Sequence, residues 1–301
     1  MKKLIIVGCL LLGASCGRNV PAPDPAYVAE VEKWRAERLA RLTADDGWLT
    51  VVGLDWLQPG VNRFGSDPAN EIPLAATDIP ALAGTVELLA DGSVVARAAE
   101  GASVTVNDAP LVESVLRSDA QGTPDIAGVG RLRFHIIDRG GRLGARIKDP
   151  EAAARRKFKG IEHFPIDPRY RVTARLEPYP TPREVQVPTV LGTPTPMLAP
   201  GVLRFTLLGN ELTLEPYQES PDEASYFLIF RDRTSGDTTY GGGRFLDAAA
   251  AGADGTTVLD FNLAYSPPCA FTPHATCPLP PPQNSLRVAV EAGEKFTGAS
   301  H

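Results

Sequence analysis

The sequence predicts a mainly β protein with an N-terminal amphipathic helix, a small β-sandwich and a larger antiparallel β domain. The 301 residues include 28 glycines and 28 prolines, a content that favours short strands joined by many turns. From Gly47 onwards, stretches rich in β-branched and aromatic residues alternate with turn residues, whereas the clearest helical periodicity lies in Tyr27–Leu42. Hydrophobic residues make up 43% of the chain, which is enough for sizeable cores.

Charge and hydropathy argue against two classes of protein, those that bind nucleic acid and those that cross a membrane several times. With 30 basic and 36 acidic residues, the chain has a formal charge of −6, so we expect no general affinity for nucleic acid. No run of 18 apolar residues follows the first sixteen positions, which argues against a polytopic membrane protein.

The first sixteen residues have the plan of an export signal. Two lysines after Met1 are followed by an apolar run over residues 4–12 and then by small residues up to Cys16. Because the segment ends on cysteine, it resembles a bacterial lipoprotein signal. This resemblance predicts a signal peptide over residues 1–15 and lipidation of Cys16.

An export signal of this kind also predicts a location. The protein is expected in the bacterial cell envelope, facing the periplasm or the cell surface, with the membrane as a partner through its lipid anchor. Residues 16–26 contain several prolines and no hydrophobic periodicity, so we expect an extended tether. Ordinary secretion is one alternative, and lipidation at Cys9 is another.

Residues 27–45 are predicted to form the amphipathic helix, which we expect to pack on the following domain; binding of a partner is the alternative. Its predicted apolar face consists of Val28, Val31, Trp34, Leu39 and Leu42. Residues 46–125 contain short strand-like stretches and are predicted to form the small sandwich. Asp91-Gly92 is a hairpin signal within it, because glycine adopts positive φ without a Cβ penalty.

The sandwich segment distantly resembles the forkhead-associated fold. The stretches Phe64–Ile72 and Val106–Leu111 are similar to two turns of that family. Ser66, Pro80 and Ala83 stand where the family has its phosphate-binding arginine, serine and histidine. Since phosphothreonine recognition needs donors and positive charge, the resemblance implies the architecture without that ligand.

Residues 126–298 continue the β pattern and hold the cysteine pair Cys269 and Cys277. In an oxidising compartment, this pair is predicted to form a disulfide. A zinc site that adds His274 is an alternative, although a fourth ligand is not evident nearby. Two inert thiols are the third possibility.

Polar residues that could form a ligand site cluster near the C-terminus. The cluster consists of Asp232, Arg244, Asp260 and Asn262, with Tyr240 and Tyr265 nearby. If residues 260–265 form a strand, Asp260 and Asn262 project from the same face. Two carboxylates and an arginine could bind a polar ligand or do acid–base work, and they could equally be structural ion pairs.

The chain resembles a bacterial family known only as domain of unknown function 1684. The motifs that carry the resemblance are Gly53–Leu57, Arg146–Asp149, Asp232–Tyr240, Gly243–Leu246, Asp260–Cys269, Cys277–Pro281 and Ala292–Lys295. The resemblance covers roughly residues 28 to 295, nearly the whole mature chain, and the family implies an architecture but no reaction. With the motif residues Arg146 and Asp149 added, the ligand-binding candidates are Arg146, Asp149, Asp232, Tyr240, Arg244, Asp260, Asn262 and Tyr265.

These observations favour a lipid-anchored envelope protein without catalytic activity that binds a small polar or glycan-like ligand, or a partner. A hydrolase using Asp232 or Asp260 with Arg244 is the alternative, and a thiolate–zinc protein is a third hypothesis. No cofactor and no bound metal are expected.

Overall fold

We describe residues 23–296 of the protein from a computed structural model, and this part has the predicted mainly β fold. The predicted signal peptide, Cys9, Cys16 and the tether up to residue 22 lie outside the described residues. Within residues 23–296, no helix is both long enough and apolar enough to cross a membrane.

Helix α1 (Pro25–Thr43) confirms the predicted N-terminal helix. It begins there because the Asp24 carboxylate accepts a hydrogen bond from Ala26 N–H at 2.9 Å and a proline occupies the start of the helix. Its buried side chains are Val31, Arg38 and Leu42. The predicted apolar face is wrong at Leu39, which is 38% exposed, because the neighbouring Arg38 turns into the protein instead.

The strands of the sandwich follow the helix. They are β1 (Val51–Trp56), β2 (Gly60–Gly65), β3 (Ile72–Pro73), β4 (Gly84–Leu88), β5 (Val94–Ala98), β6 (Val104–Val106), β7 (Ala109–Pro110), β8 (Glu113–Val115), β9 (Ile126–Val129), β10 (Leu132–Arg139) and β11 (Arg142–Lys148).

These strands form two sheets around one core. The six-stranded sheet has the order β1-β11-β10-β9-β6-β7, and the five-stranded sheet has the order β3-β2-β4-β5-β8. Phe64 and Phe134 meet edge to face in the core, with ring centroids 5.4 Å apart. The predicted Asp91-Gly92 turn joins β4 to β5, and Gly92 has a φ of +85°.

The six-stranded sheet extends across the position between residues 125 and 126 where the sequence predicted a domain boundary. Strands β9, β10 and β11 come after that position, yet β11 pairs with β1 and β9 pairs with β6. Buried residues of β10 and β11 belong to the same core as those of β2 and β4. The residue pattern of a segment predicts that it forms a strand, but which distant strand it pairs with depends on the tertiary structure.

The C-terminal part is antiparallel, as predicted. Its elements are α2 (Ala153–Lys157), β12 (Arg171–Val187), β13 (Thr195–Leu207), β14 (Asn210–Leu214), β15 (Ser225–Phe230), β16 (Arg244–Ala249) and β17 (Thr256–Asp260). A four-stranded sheet has the order β14-β13-β12-β17, and β15 pairs with β16. Their apolar faces enclose a second core that includes Leu203, Leu228 and Phe261.

Candidate functional site

A cleft lies where helix α1, the turn before β1 and the β15–β16 pair meet. It contains a cavity of about 370 Å³, which we call the aromatic cavity. Its aromatic lining residues are Trp34, Trp48, Phe227, Phe245 and Tyr265, and its charged lining residues are Arg38, Arg41 and Asp247. Aromatic walls with a few polar groups are typical of small-molecule sites.

The five rings of the aromatic cavity come from separate segments that the fold brings together. Trp34 lies on α1 and Trp48 lies in a 3₁₀ turn, while Phe227 and Phe245 lie on β15 and β16 with ring centroids 4.7 Å apart. Tyr265 exchanges two backbone hydrogen bonds of 2.9 Å with Phe245, and its ring centroid is 6.1 Å from that of Trp34. Regular secondary structure and backbone pairing therefore hold most of these rings.

Polar groups stand beside the rings. The Tyr265 hydroxyl donates to Asp247 Oδ2 at 3.0 Å, and the Arg38 guanidinium lies 5.0 Å from the centre of the Tyr265 ring. Asp247 reaches solvent, yet partial desolvation raises the pKa of its carboxyl. Burial and the nearby Asp247 charge raise the pKa of Tyr265. At neutral pH, Tyr265 is therefore a neutral donor.

Helix α1 is fixed to this cleft through a buried ion pair. Arg38 Nε donates to Glu294 Oε1 at 3.0 Å, and Arg38 Nη2 donates to the Ser266 carbonyl at 2.9 Å. Glu294 is fully buried, and its other oxygen accepts a hydrogen bond from Ser266 N–H at 2.8 Å. Burial raises the pKa of Glu294, against the opposing effect of Arg38. The pair positions Trp34, which lies one turn before Arg38 on the same helix.

A second cavity adjoins the first. It has a volume of about 330 Å³ and shares Trp48, Phe245 and Pro268 with the aromatic cavity. Because Arg139 and Thr276 line it, we call it the arginine cavity. The two cavities therefore lie next to each other and share part of one wall.

The structure places Asp232 and Arg244 away from this cleft, in a closed ion pair. Arg244 Nη2 donates to Asp232 Oδ2 at 2.8 Å, and both side chains have no exposed surface. Arg244 also donates to the carbonyls of Val290 and Ala292. Asp232 in turn accepts hydrogen bonds from Thr234 and from Val290 N–H. Burial lowers the pKa of Arg244, but the Asp232 charge opposes this.

Asp260 and Asn262 serve the packing of α1. Strand β17 ends at Asp260, so the conditional strand prediction for residues 260–265 is wrong; a 3₁₀ turn over Phe261–Leu263 follows because the Asp260 carboxylate caps it. Both Asp260 oxygens accept from the Tyr27 hydroxyl, at 3.0 and 2.9 Å. The fully buried Asn262 amide donates to the same hydroxyl and to the Asp167 carbonyl, each at 2.9 Å.

The other four candidates lie in four different places. Tyr265 lines the aromatic cavity, whereas the Tyr240 hydroxyl donates to the Cys269 carbonyl at 3.1 Å. Asp149 binds Arg131 with two hydrogen bonds of 2.9 Å and lines a third cavity of about 500 Å³. Arg146 lies behind the wall of the arginine cavity, with its guanidinium 4.9 Å from the Trp48 ring centre.

The two cysteines are free and buried, and no disulfide joins them in the structure. They are neighbours, since Cys269 N–H donates to the Cys277 sulfur at 3.2 Å. The hydrogen bond between the thiols lowers the pKa of Cys269 and raises that of Cys277, which burial raises further. Within residues 23–296, no three potential ligands of the His, Cys, Asp and Glu types gather into a metal site, and His274 lines the third cavity instead.

Sequence reasoning missed several residues of the cleft. Trp34 was assigned to a packing face, and Trp48, Asp247 and Thr276 were given no role in a site. For Arg38 the sequence gives a partial signal, a charged residue beside the apolar helix face, but its burial against Glu294 is decided by the fold. For Thr276 the sequence holds no comparable signal.

Fold and site together define a β-rich protein with a ligand-sized cleft between its helix and its sheets. Residues 156–295 match the family described as "Protein of unknown function (DUF1684)". The matched range begins after the sandwich, so Gly53–Leu57 and Arg146–Asp149 lie outside it.

Two further comparisons complete this result. No curated protein matches the chain. Among solved structures, the chain is similar to an uncharacterized protein of Haloarcula marismortui determined by solution NMR. The identity is 39%, the similarity covers 47% of this chain and 78% of that one, and the TM-score is 0.41. The forkhead-associated resemblance of the sandwich stays a prediction.

Proposed function

We propose that this protein is a lipid-anchored protein of the bacterial cell envelope that binds a small polar, glycan-like ligand without catalytic conversion. The observation that carries the binding proposal is the aromatic cavity, which five aromatic rings line together with the charged side chains of Arg38, Arg41 and Asp247.

The chemistry of the aromatic cavity suits a sugar ring better than a purely apolar ligand. The flat rings of Trp34 and Trp48 offer large apolar contact area to the C–H face of a sugar. Asp247 and Arg41 supply an acceptor and donors at the edge, where sugar hydroxyls would lie. A volume of about 370 Å³ holds one or two sugar rings.

The environment of the predicted catalytic residues supports binding rather than hydrolysis. A general acid or base must reach the proton that it transfers. The side chains of Asp232 and Arg244 have no exposed surface, and the protein itself supplies their hydrogen-bond partners. Asp260 is engaged by Tyr27 and by the turn that it caps.

The proposed function also includes a lipid anchor and a family relationship that covers most of the chain. We propose export by the segment over residues 1–15, lipidation of Cys16 and a family relationship that extends from residue 28 to 295. In the native host, mass spectrometry is expected to find an acylated N-terminus at Cys16. An unprocessed and unacylated start would contradict the export proposal.

Export also implies oxidation of the cysteine pair. Forming the Cys269–Cys277 disulfide removes one hydrogen atom from each thiol. The two electrons pass to a disulfide-bearing oxidant of the envelope, which is reduced to a dithiol. Protein isolated from the envelope and unfolded without reductant is then expected to contain no titratable thiols, whereas two titratable thiols would contradict the disulfide.

Binding is tested on a glycan array with wild-type protein and two tryptophan variants. Trp34→Leu removes a ring of the aromatic cavity, whereas Trp56→Leu removes a ring that lies against Arg142, outside the aromatic cavity. We expect Trp34→Leu to weaken binding of a retained glycan at least tenfold and Trp56→Leu to leave it within twofold. Absence of any retained glycan, or equal losses in both variants, would contradict the proposal.

The hydrolase alternative has its own test. Each retained glycan is incubated with the wild type and with Asp260→Asn, and the products are separated by mass. We expect the glycan to remain unchanged. Cleavage by the wild type that disappears in a folded Asp260→Asn protein would contradict the non-catalytic proposal.

A further inference from the structure

Arg146 is a buried cation that the described part of the protein leaves without an anionic partner. It lies on β11 between β1 and β10, and it is only 5% exposed. Among residues 23–296, it forms no ion pair, and its Nε has no hydrogen-bond partner. Its Nη2 donates to the Thr276 hydroxyl at 3.3 Å. A buried guanidinium without a counter-ion is costly to a fold, so an uncompensated one points to a charge supplied from outside.

The nearby Asp119 carboxylate acts on Arg146 as well, but Asp119 is already hydrogen-bonded to Arg139, so one carboxylate does not balance both cations. Arg139 is neutralised by Asp119, whose two carboxylate oxygens accept its guanidinium at 3.0 and 2.8 Å. His135, the partner of Arg146 in the β10–β11 register, has its pKa lowered to about 4 by burial and by nearby cations, so it is neutral at pH 7. Lys148 adds a further positive charge near His135. The local excess is therefore positive.

Thr276 connects this positive region to the arginine cavity. Its hydroxyl oxygen accepts hydrogen bonds from Arg139 Nε at 3.0 Å and from Arg146 Nη2 at 3.3 Å. A hydroxyl has two acceptor positions and one hydrogen, so both acceptor positions are occupied and the hydrogen is free to be donated. Thr276 lines the cavity, which makes this O–H, polarised by two guanidinium groups, a donor toward a ligand.

The cavity has one opposing charge. Glu219 also lines it, but its side chain is exposed, so solvent screens its carboxylate far more than the protein screens Arg146. The wall shared with the aromatic cavity includes Trp48, which also covers the Arg146 guanidinium. A ring in the aromatic cavity and an anionic substituent in the arginine cavity could thus belong to one ligand.

We propose that the arginine cavity is an anion subsite, in which the Thr276 hydroxyl and Arg139 receive the carboxylate or another anionic group of the ligand, while the buried charge of Arg146 attracts that group from behind the cavity wall. This inference rests on the proposed glycan-like ligand, because it makes that ligand an acidic sugar. The shared chemistry is an anionic oxygen group, which a free inorganic anion also carries.

The test follows arginine Nε–Hε and tryptophan Nε1–Hε1 signals by NMR while four probes are added to the purified protein. The probes are D-glucuronate, D-glucose, acetate and sulfate. We expect D-glucuronate to shift both sets of signals in a saturable way and to bind at least tenfold more tightly than D-glucose. Thr276→Val should remove this preference, whereas Thr276→Ser, which keeps the hydroxyl, should retain it.

The outcomes separate this inference from the proposed function. Equal binding of D-glucuronate and D-glucose, or an undiminished preference in a folded Thr276→Val protein, overturns the anion subsite while leaving sugar binding in place. Saturation by acetate or sulfate with no binding of either sugar supports the anion subsite and contradicts the glycan proposal. Shifts that never saturate with any probe overturn the anion subsite.

Discussion

Replacing Asp232 with asparagine is expected to destabilise the protein strongly. Asparagine has nearly the same shape as aspartate, so the variant changes charge and hydrogen-bonding character with little change in volume. In the wild type, Asp232 Oδ2 accepts from Arg244 at 2.8 Å, while Oδ1 accepts from Thr234 N–H at 2.8 Å and from its hydroxyl at 2.6 Å. The variant leaves the fully buried Arg244 without its counter-ion.

The expected magnitude follows from the burial of this pair. Breaking a buried ion pair by removing one charge costs about 3–5 kcal/mol, because the remaining charge is left in a poorly solvated place. With a urea dependence of about 3 kcal/mol per molar for a chain of this size, the unfolding midpoint should fall by roughly 1–2 M.

The assay is urea unfolding at pH 7 followed by tryptophan fluorescence, with Asp254→Asn as the matched control. Asp254 also accepts from a threonine N–H and hydroxyl, at 3.0 and 2.8 Å, but it does so in an exposed turn. Its substitution should shift the midpoint several times less than Asp232→Asn. Similar shifts in the two variants, or a loss below about 1 kcal/mol for Asp232→Asn, would refute the reasoning from burial.

Two further predictions concern the backbone and pH. Gly293→Ala should lower the melting temperature much more than Gly209→Ala. The two glycines have similar positive φ values, +77° and +79°, but only at Gly293 would an added Cβ lie 2.4 Å from the Ala264 carbonyl oxygen. Equal losses would show that backbone strain alone matters. Burial lowers the pKa of His135 to about 4, so the unfolded chain binds more protons between pH 6.5 and 4, and stability should fall as the pH falls through that range. His135→Leu should reduce the loss of unfolding free energy between pH 7 and pH 5 by about 1–2 kcal/mol, and an unchanged loss would mean that His135 does not contribute.

Local sequence patterns predicted much of the secondary structure. Helix α1 lies within two residues of its predicted bounds because amphipathic periodicity and charge act over one or two turns. The turn at Gly92 was predicted for a similar reason, since its conformation depends on the residue itself.

The candidate site depended on contacts that no local pattern records. Asp232 and Arg244 were recognised as chemically suited to each other, but only their complete burial shows that they form a closed pair. Asp260 was predicted to share a site with them, and it instead binds Tyr27, 233 positions away in the chain.

The amino-acid sequence alone was sufficient for the β class, the N-terminal helix and the motifs that resemble the family, because these properties depend on neighbours within a few residues. The cleft was not accessible in this way. Trp34, Trp48, Phe245 and Tyr265 are far apart along the chain and meet only after the sheets have paired. Strand pairing and the burial of Arg38 against Glu294 depend on contacts between residues that are far apart in the sequence. These contacts determine which polar side chains line a cavity and which are buried in the protein.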